Sequence, residues 1–185
     1  MAGASMRRKI LQWVMDRRPT KVYKVDGEHL FYRAYLFRIC GWVVYLHHYL
    51  RSDPDRGLHN HPFKAYAWIL AGGYEEERIE SFNEDGLVLS KQFLQPGAFN
   101  KIDQHVFHRL KLDKVKTKHG YVQSTSWSLF VCKYLPGETW GFLKSYDSIH
   151  PDKLHYFLYQ NAGIAETEHD WWKSANRGEF VCKIK

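Results

Sequence analysis

At 185 residues, with 44% hydrophobic and 16% aromatic side chains, the chain is long enough for one domain with a real core, and its composition excludes a disordered chain. No apolar run approaches the roughly 20 residues that cross a bilayer. The basic N-terminus leads into neither an apolar signal core nor a small-residue cleavage site, and Cys40, Cys132 and Cys182 are too few and scattered for a disulfide framework or a CxxC metal site, so a reducing cytoplasm is the expected setting.

In chain order, residues 6–17 place Ile10, Leu11, Val14 and Met15 with Trp13 at near-helical spacing, and Pro19 stops the pattern. One short amphipathic helix is expected, with Met6 as a candidate natural start. Residues 1–24 carry seven cations against Asp16 alone, which concentrates most of the net charge of +7 there. A polyanion such as nucleic acid has this segment, and the loop at residues 111–118, as its candidate docking surfaces. A solvated helix face and a solubilising loop account for the same charges.

From Leu30 the pattern becomes β-branched and aromatic: LFYRAYLFRI and WVVYLHHYL, separated by Cys40-Gly41. Turn chemistry follows at residues 53–57, ahead of AYAWILA, a break at Gly72-Gly73, YEEERIE, a turn at residues 83–86, and LVLSKQFL ending at Pro96-Gly97. Then come AFNKI, VFHRLKL, a charged loop around residues 114–120, and STSWSLFVCKY. Short strands at roughly ten-residue spacing predict an all-β sandwich or barrel. The acidic-aromatic stretch at residues 166–172 can start a short helix.

His59-Asn60-His61 is the first chemical signal. In an extended segment residues i and i+2 share a face, so two imidazoles can converge on one ion, and neutral imidazole suits iron, nickel, copper, cobalt and zinc. His47 and His48 are adjacent on a strand and must point to opposite faces. No GxSxG, P-loop or Rossmann glycine pattern is present, which leaves acyl transfer and nucleotide-phosphate chemistry unsupported.

LHNHP followed by GGYEE, PG, HRL, WSLF and WGF resembles the cupin family, over roughly residues 32–142, and is similar to small bacterial and phage cupins of unassigned activity. The second signature of that family runs glycine, five residues, proline, one residue, glycine, two residues, histidine. Counted from Gly97, it places Asp103 and His105 at the turn positions and His108 at the ligand. The resemblance implies a single cupin-type double-stranded β-helix, a jelly-roll barrel over residues 25–145. A basic N-terminal arm at 1–24 and a C-terminal extension at 146–185 would flank it.

It also implies one divalent metal ion held by His59, His61 and His108. The family's glutamate ligand would fall on Ala65 or Tyr66, neither of which replaces a carboxylate. A three-histidine site remains, or a fourth ligand from His105, Glu75 or Glu76; for the glutamates the alternative is an exposed hairpin. Tyr66, as a candidate catalytic group, would line a substrate pocket with Trp68, Trp127 and Trp140, or all four are core. Arg109 should face away from His108, and Arg33, Arg38 and Arg56 are the candidates for binding a substrate anion.

The implied function is an iron(II)-dependent oxygenase, dioxygenase-like, acting on a small molecule. Zinc, manganese or nickel in a lyase or isomerase, a non-enzymatic ligand-binding or regulatory cupin, and a metal-free sugar-modifying enzyme stay open. The aromatic strands permit a homodimer through sheet faces.

Overall fold

Along Phe63–Ala71 the odd-numbered residues are buried while Lys64 and Trp68 are exposed and Tyr66 and Leu70 half-buried, the period-two signature of a strand with one face on a core. The structure, a computed structural model, describes residues 2–25, 27–53, 58–83, 86–118, 120–137, 140–145, 154–158 and 178–183.

One helix, α1 (Ala2–Met15), precedes fifteen strands among the described residues. They are β1 (Pro19–Val25), β2 (Glu28–Ile39), β3 (Trp42–Tyr49), β4 (Leu58–His59), β5 (Phe63–Ala71), β6 (Tyr74–Asn83), β7 (Gly86–Leu94) and β8 (Phe99–Ile102). There follow β9 (His108–Lys111), β10 (Lys114–Thr117), β11 (Gly120–Gln123), β12 (Ser126–Tyr134), β13 (Gly141–Ser145), β14 (Leu154–Leu158) and β15 (Gly178–Lys183).

The first sheet runs β15-β1-β2-β3-β12-β5-β8 and the second β14-β13-β4-β9-β6-β7, with β10-β11 a separate ribbon. The central quartets β3-β12-β5-β8 and β4-β9-β6-β7 are filled by strands that alternate between sheets along the chain except at the β6-β7 hairpin, which stays in the second sheet. That order is the jelly roll, two Greek keys closed on each other. The expected all-β single-domain jelly roll is therefore the observed one.

Cys40 and Gly41, with φ of 48° and 78°, make the tight turn between β2 and β3; both left-handed φ values match the primed turns that follow strand twist. The inner face of the first sheet buries Val43, Tyr45, Phe63, Ala65, Ala67, Ile102, Phe130 and Cys132. Each large side chain of this kind contributes about 1.5–3 kcal/mol on burial. On its outer face, Leu11, Val14 and Met15 of α1 cover Ala34, Leu46, Ala71 and Trp127. The helix ends at Met15, and Thr20 Oγ1 donates to the Met15 carbonyl at 3.2 Å.

Two expectations change here. Residues 19–25, placed by charge in the basic arm, are strand β1, whose Lys21, Val22 and Tyr23 are buried. The charged loop around residues 114–120 is the ribbon β10-β11. Within residues 146–185, β14 pairs with β13 and β15 runs parallel to β1; the helix expected at 166–172 lies outside the described residues.

Candidate metal centre

His59 is the last residue of β4 and stands directly opposite His108, the first residue of β9, in an antiparallel pair. Opposed residues share a face, and His61, two positions on, returns to the side of His59. The possible ligand atoms of His59, His61 and His108 all lie within 4.8 Å of one another. His61 Nε2 and His108 Nε2 are 3.0 Å apart. Two nitrogens bound to one ion at about 2.1 Å and a right angle stand about 3.0 Å apart. The donor set is all imidazole, and it fits a borderline transition-metal ion.

Asn60, between the two histidines, is buried and ties the segment in place. Its Oδ1 accepts from the Gly141 N–H at 2.9 Å, and its Nδ2 donates to the Gln104 carbonyl at 3.2 Å. Both histidines of the HNH segment thus depend on a polar clamp between them.

Glu76 projects inward from β6. It is 1% exposed, and its Oε1 lies 2.5 Å from His108 Nδ1. An ionised carboxylate only accepts, so His108 carries a proton on Nδ1, and its Nε2 faces His61. Asn100 Nδ2 donates to both Glu76 oxygens at 3.1 Å, and Arg78 Nε donates to Oε2 at 2.7 Å. Arg78 continues to Asn100 Oδ1 and to the Lys101 carbonyl. Burial alone pushes Glu76 up; the bonds from His108 and Arg78 outweigh it and hold the carboxyl at about 2.

Burial, with the charge of His108 adding, lowers His59 to about 3. Burial likewise holds His61 well below its usual value, helped by His59, His108, Arg33 and His47. Both rings are neutral at pH 7, the state a metal needs. An aromatic wall closes this side: Phe63 stacks on His61 at 4.6 Å between ring centres, Trp140 stands 6.3 Å from His61, and Phe142 5.8 Å from His59.

The expected pocket residues separate. Trp140 lies at the histidines, but Tyr66 and Trp68 project from the outer face of the first sheet, where Tyr66 stacks on Phe99 and Trp68 is 50% exposed. Trp127 is buried on the same outer face, stacked on His48 at 3.8 Å beneath α1. The physical reason is strand parity: Ala65 and Ala67 take the inner positions of β5, so their neighbours cannot. Tyr66 thus has no catalytic place at this centre.

The candidate fourth ligands also separate. His105 is exposed beside Gln104. Glu75, adjacent to Glu76, takes the opposite face, and Glu76 stands behind His108 instead of joining the three histidines. The exposed-hairpin alternative fails for Glu76, which is 1% exposed, and Glu75 is half-buried on the outer face.

His47 and His48 do face opposite ways. His47 is buried, accepts from Arg33 Nε at Nε2 (3.1 Å) and shares Nδ1 with the Tyr49 hydroxyl (2.9 Å). Arg33 also donates to the Tyr23 hydroxyl at 2.8 Å. Arg38 is exposed at the end of β2, Arg109 pairs outside the barrel with Glu77, and Arg56 lies outside the described residues. Asn100, Arg78 and Asn60 went unnoticed in the sequence. The available signal was that Glu76 shares a strand face with the apolar Tyr74.

No protein-family model matches the chain and no curated protein matches it. Among solved structures it is similar to hydroxypropylphosphonic acid epoxidase from S. wedmorenis, at 18% identity over 65% of this chain and 56% of that one, with a TM-score of 0.41. It is also similar to KdgF from Halomonas sp., at 15% identity over 60% and 86% of the two chains and a TM-score of 0.41. A third is the DMSP lyase DddQ from Ruegeria pomeroyi, at 14% identity over 75% and 55% and a TM-score of 0.40. The chain spans a little over half the length of the epoxidase and of the lyase. Among the described residues, no helix is long and apolar enough to cross a membrane.

Proposed function

We propose that the chain is a metal-binding cupin whose His59, His61 and His108 hold one divalent ion, iron(II) for preference, and that it is an oxygenase acting on a small molecule. The observation that carries the reading is the convergence of three imidazole side chains with no carboxylate among the three. Bound there, such an ion supplies open coordination positions that can hold a small molecule and dioxygen together.

The chain's own residues do the rest. His59 and His61 offer lone pairs because burial keeps them neutral. Glu76 fixes the tautomer and direction of His108 and makes it a stronger donor. Phe63, Trp140 and Phe142 present an apolar wall that favours an organic substrate over water.

Metal analysis of the wild type beside His59→Ala and His108→Ala tests the ligand set, with about one ion per chain expected in the wild type and a loss in both variants. Oxygen uptake by the iron(II)-loaded protein over a panel of small thiols, catechols and hydroxy acids tests the reaction class. A full metal complement in both variants sinks the site. Metal binding without oxygen uptake moves the reading to a non-redox lyase or isomerase using zinc, manganese or nickel.

A further inference from the structure

Lys114–Thr117 and Gly120–Gln123 pair with each other and with neither sheet. A lone two-stranded ribbon is marginal in water, and this one is tied to the barrel at its base, where Gln123 Nε2 donates to Ser52 Oγ at 2.7 Å. Its faces differ. Lys116 stands opposite Tyr121 and Lys114 opposite Gln123 on one face, while Val115 opposes Val122 on the other. Lys114, Lys116 and Lys118 are exposed, and Tyr121 is 71% exposed.

Arg109 and Lys111, on the strand that feeds the ribbon, project from the outer face of the second sheet and pair there with Glu77, so the ribbon's own charge is that of the exposed Lys114, Lys116 and Lys118, with Asp113 at its base. Alternate residues of a strand stand about 6.8 Å apart, which is the spacing of Lys114 and Lys116 along one face of β10. The ribbon returns into β12 beside Trp127, which lies under α1, and α1 exposes Arg8 and Lys9. The histidine centre lies toward the other end of β12, where Tyr134 pairs with Phe63, two residues past His61. Seven strand positions separate the two ends, about 24 Å.

We infer that this ribbon docks single-stranded nucleic acid, the lysines following the phosphates and Tyr121 stacking on an unpaired base. Charge complementarity selects a polyanion. The ring shares the face of the lysines; insertion into a lipid surface would need it beside Val115 and Val122. A duplex offers no unpaired base for it.

The test is fluorescence anisotropy of the full-length protein with labelled single-stranded DNA of about 20 nucleotides at about 50 and 200 mM salt. The expected result is binding that weakens with salt. The combined variant Lys114→Ala, Lys116→Ala, Lys118→Ala should bind at least tenfold more weakly, with the log–log salt slope shallower by about 2, at roughly 0.7 per phosphate contact. Tyr121→Ala should weaken binding several-fold and leave the slope unchanged. All four positions are exposed, and an unaltered circular dichroism spectrum and metal content identify a folded variant. No binding at low salt, unchanged affinity in the lysine variant, or equal or tighter binding of duplex DNA, poly-glutamate or anionic phospholipid vesicles overturns the assignment.

Discussion

Glu76 Oε1 lies 2.5 Å from His108 Nδ1, the ring nitrogen that points away from His61. A carboxylate behind a ligand histidine fixes its tautomer and raises its basicity, so under the proposed function Glu76 would act on the centre through His108 without touching the ion. The residue stands three strand positions from Gly73 in a run of three glutamates, and the strand register alone puts it behind the ring.

Glu76→Gln keeps the shape and removes the charge. Competition with a coloured chelator should report metal affinity lower by about 10- to 100-fold, the usual effect of losing such a partner. Unchanged affinity in a folded variant would remove Glu76 from the centre.

Glu77, on the outer face of the second sheet, collects Arg109, Lys111 and Lys91. Burial pushes this carboxyl up, but bonds from Lys111, Arg109 and Lys91 hold it at about 2 instead of 4.5. A depressed carboxyl stabilises the fold fully above its unfolded value and loses that contribution as pH falls from about 4.5 toward 2. Urea unfolding should show Glu77→Gln weaker than wild type by about 1–3 kcal/mol at pH 7. At pH 2 the two proteins should converge, and a gap independent of pH would contradict the assignment.

His47 titrates in the same sense for a different cause. Burial, with the Arg33 charge adding, keeps it well below 6.5, so the unfolded chain takes up its proton first. Stability should fall as pH drops below about 6.5, by up to 1.4 kcal/mol per pH unit for each such group. His47→Phe, which keeps the stack on Phe130, should reduce that slope in thermal melts between pH 6.5 and 4, and an equal slope would count against it.

Gly72 and Gly97 both have positive φ, 80° and 95°, but only Gly72 faces an obstacle. A Cβ there would stand 2.1 Å from the Thr125 carbonyl oxygen, whereas at Gly97 nothing lies within 4 Å. Gly97→Ala should cost about 1–2 kcal/mol, the left-handed backbone term alone. Gly72→Ala should cost about 3 kcal/mol or more because the turn must also move off the entry to β12. Equal unfolding midpoints in denaturant for the two variants would deny the close approach.

Much of the fold was legible in residue order. Cys40-Gly41, Gly72-Gly73 and Pro96-Gly97 punctuate runs whose alternation marks strands, and each of those strands is present. Strand β1 was not legible: PTKVYKV is short, carries two lysines and follows a helix, so its charge outweighed its alternation. The ribbon was hidden the same way, because lysines at every second position read as a solvated loop. The tryptophans failed for a related reason: a strand residue announces that it has two faces to choose between, not which of them the core takes.

What the sequence determined by itself is what depends on spacing: His59 and His61 on one face, and His47 opposed to His48. These follow from covalent geometry, which repeats every two residues along a strand. Only the tertiary structure decided which groups stand behind the histidines. Glu76 meets His108 from 32 residues away and Asn100 from 24, and such meetings depend on the pairing of β6 with β9 and on the closure of one sheet over the other. The vacant carboxylate position at Ala65 and Tyr66 was readable in the chain. That a carboxylate nevertheless stands behind His108 is a property of the barrel.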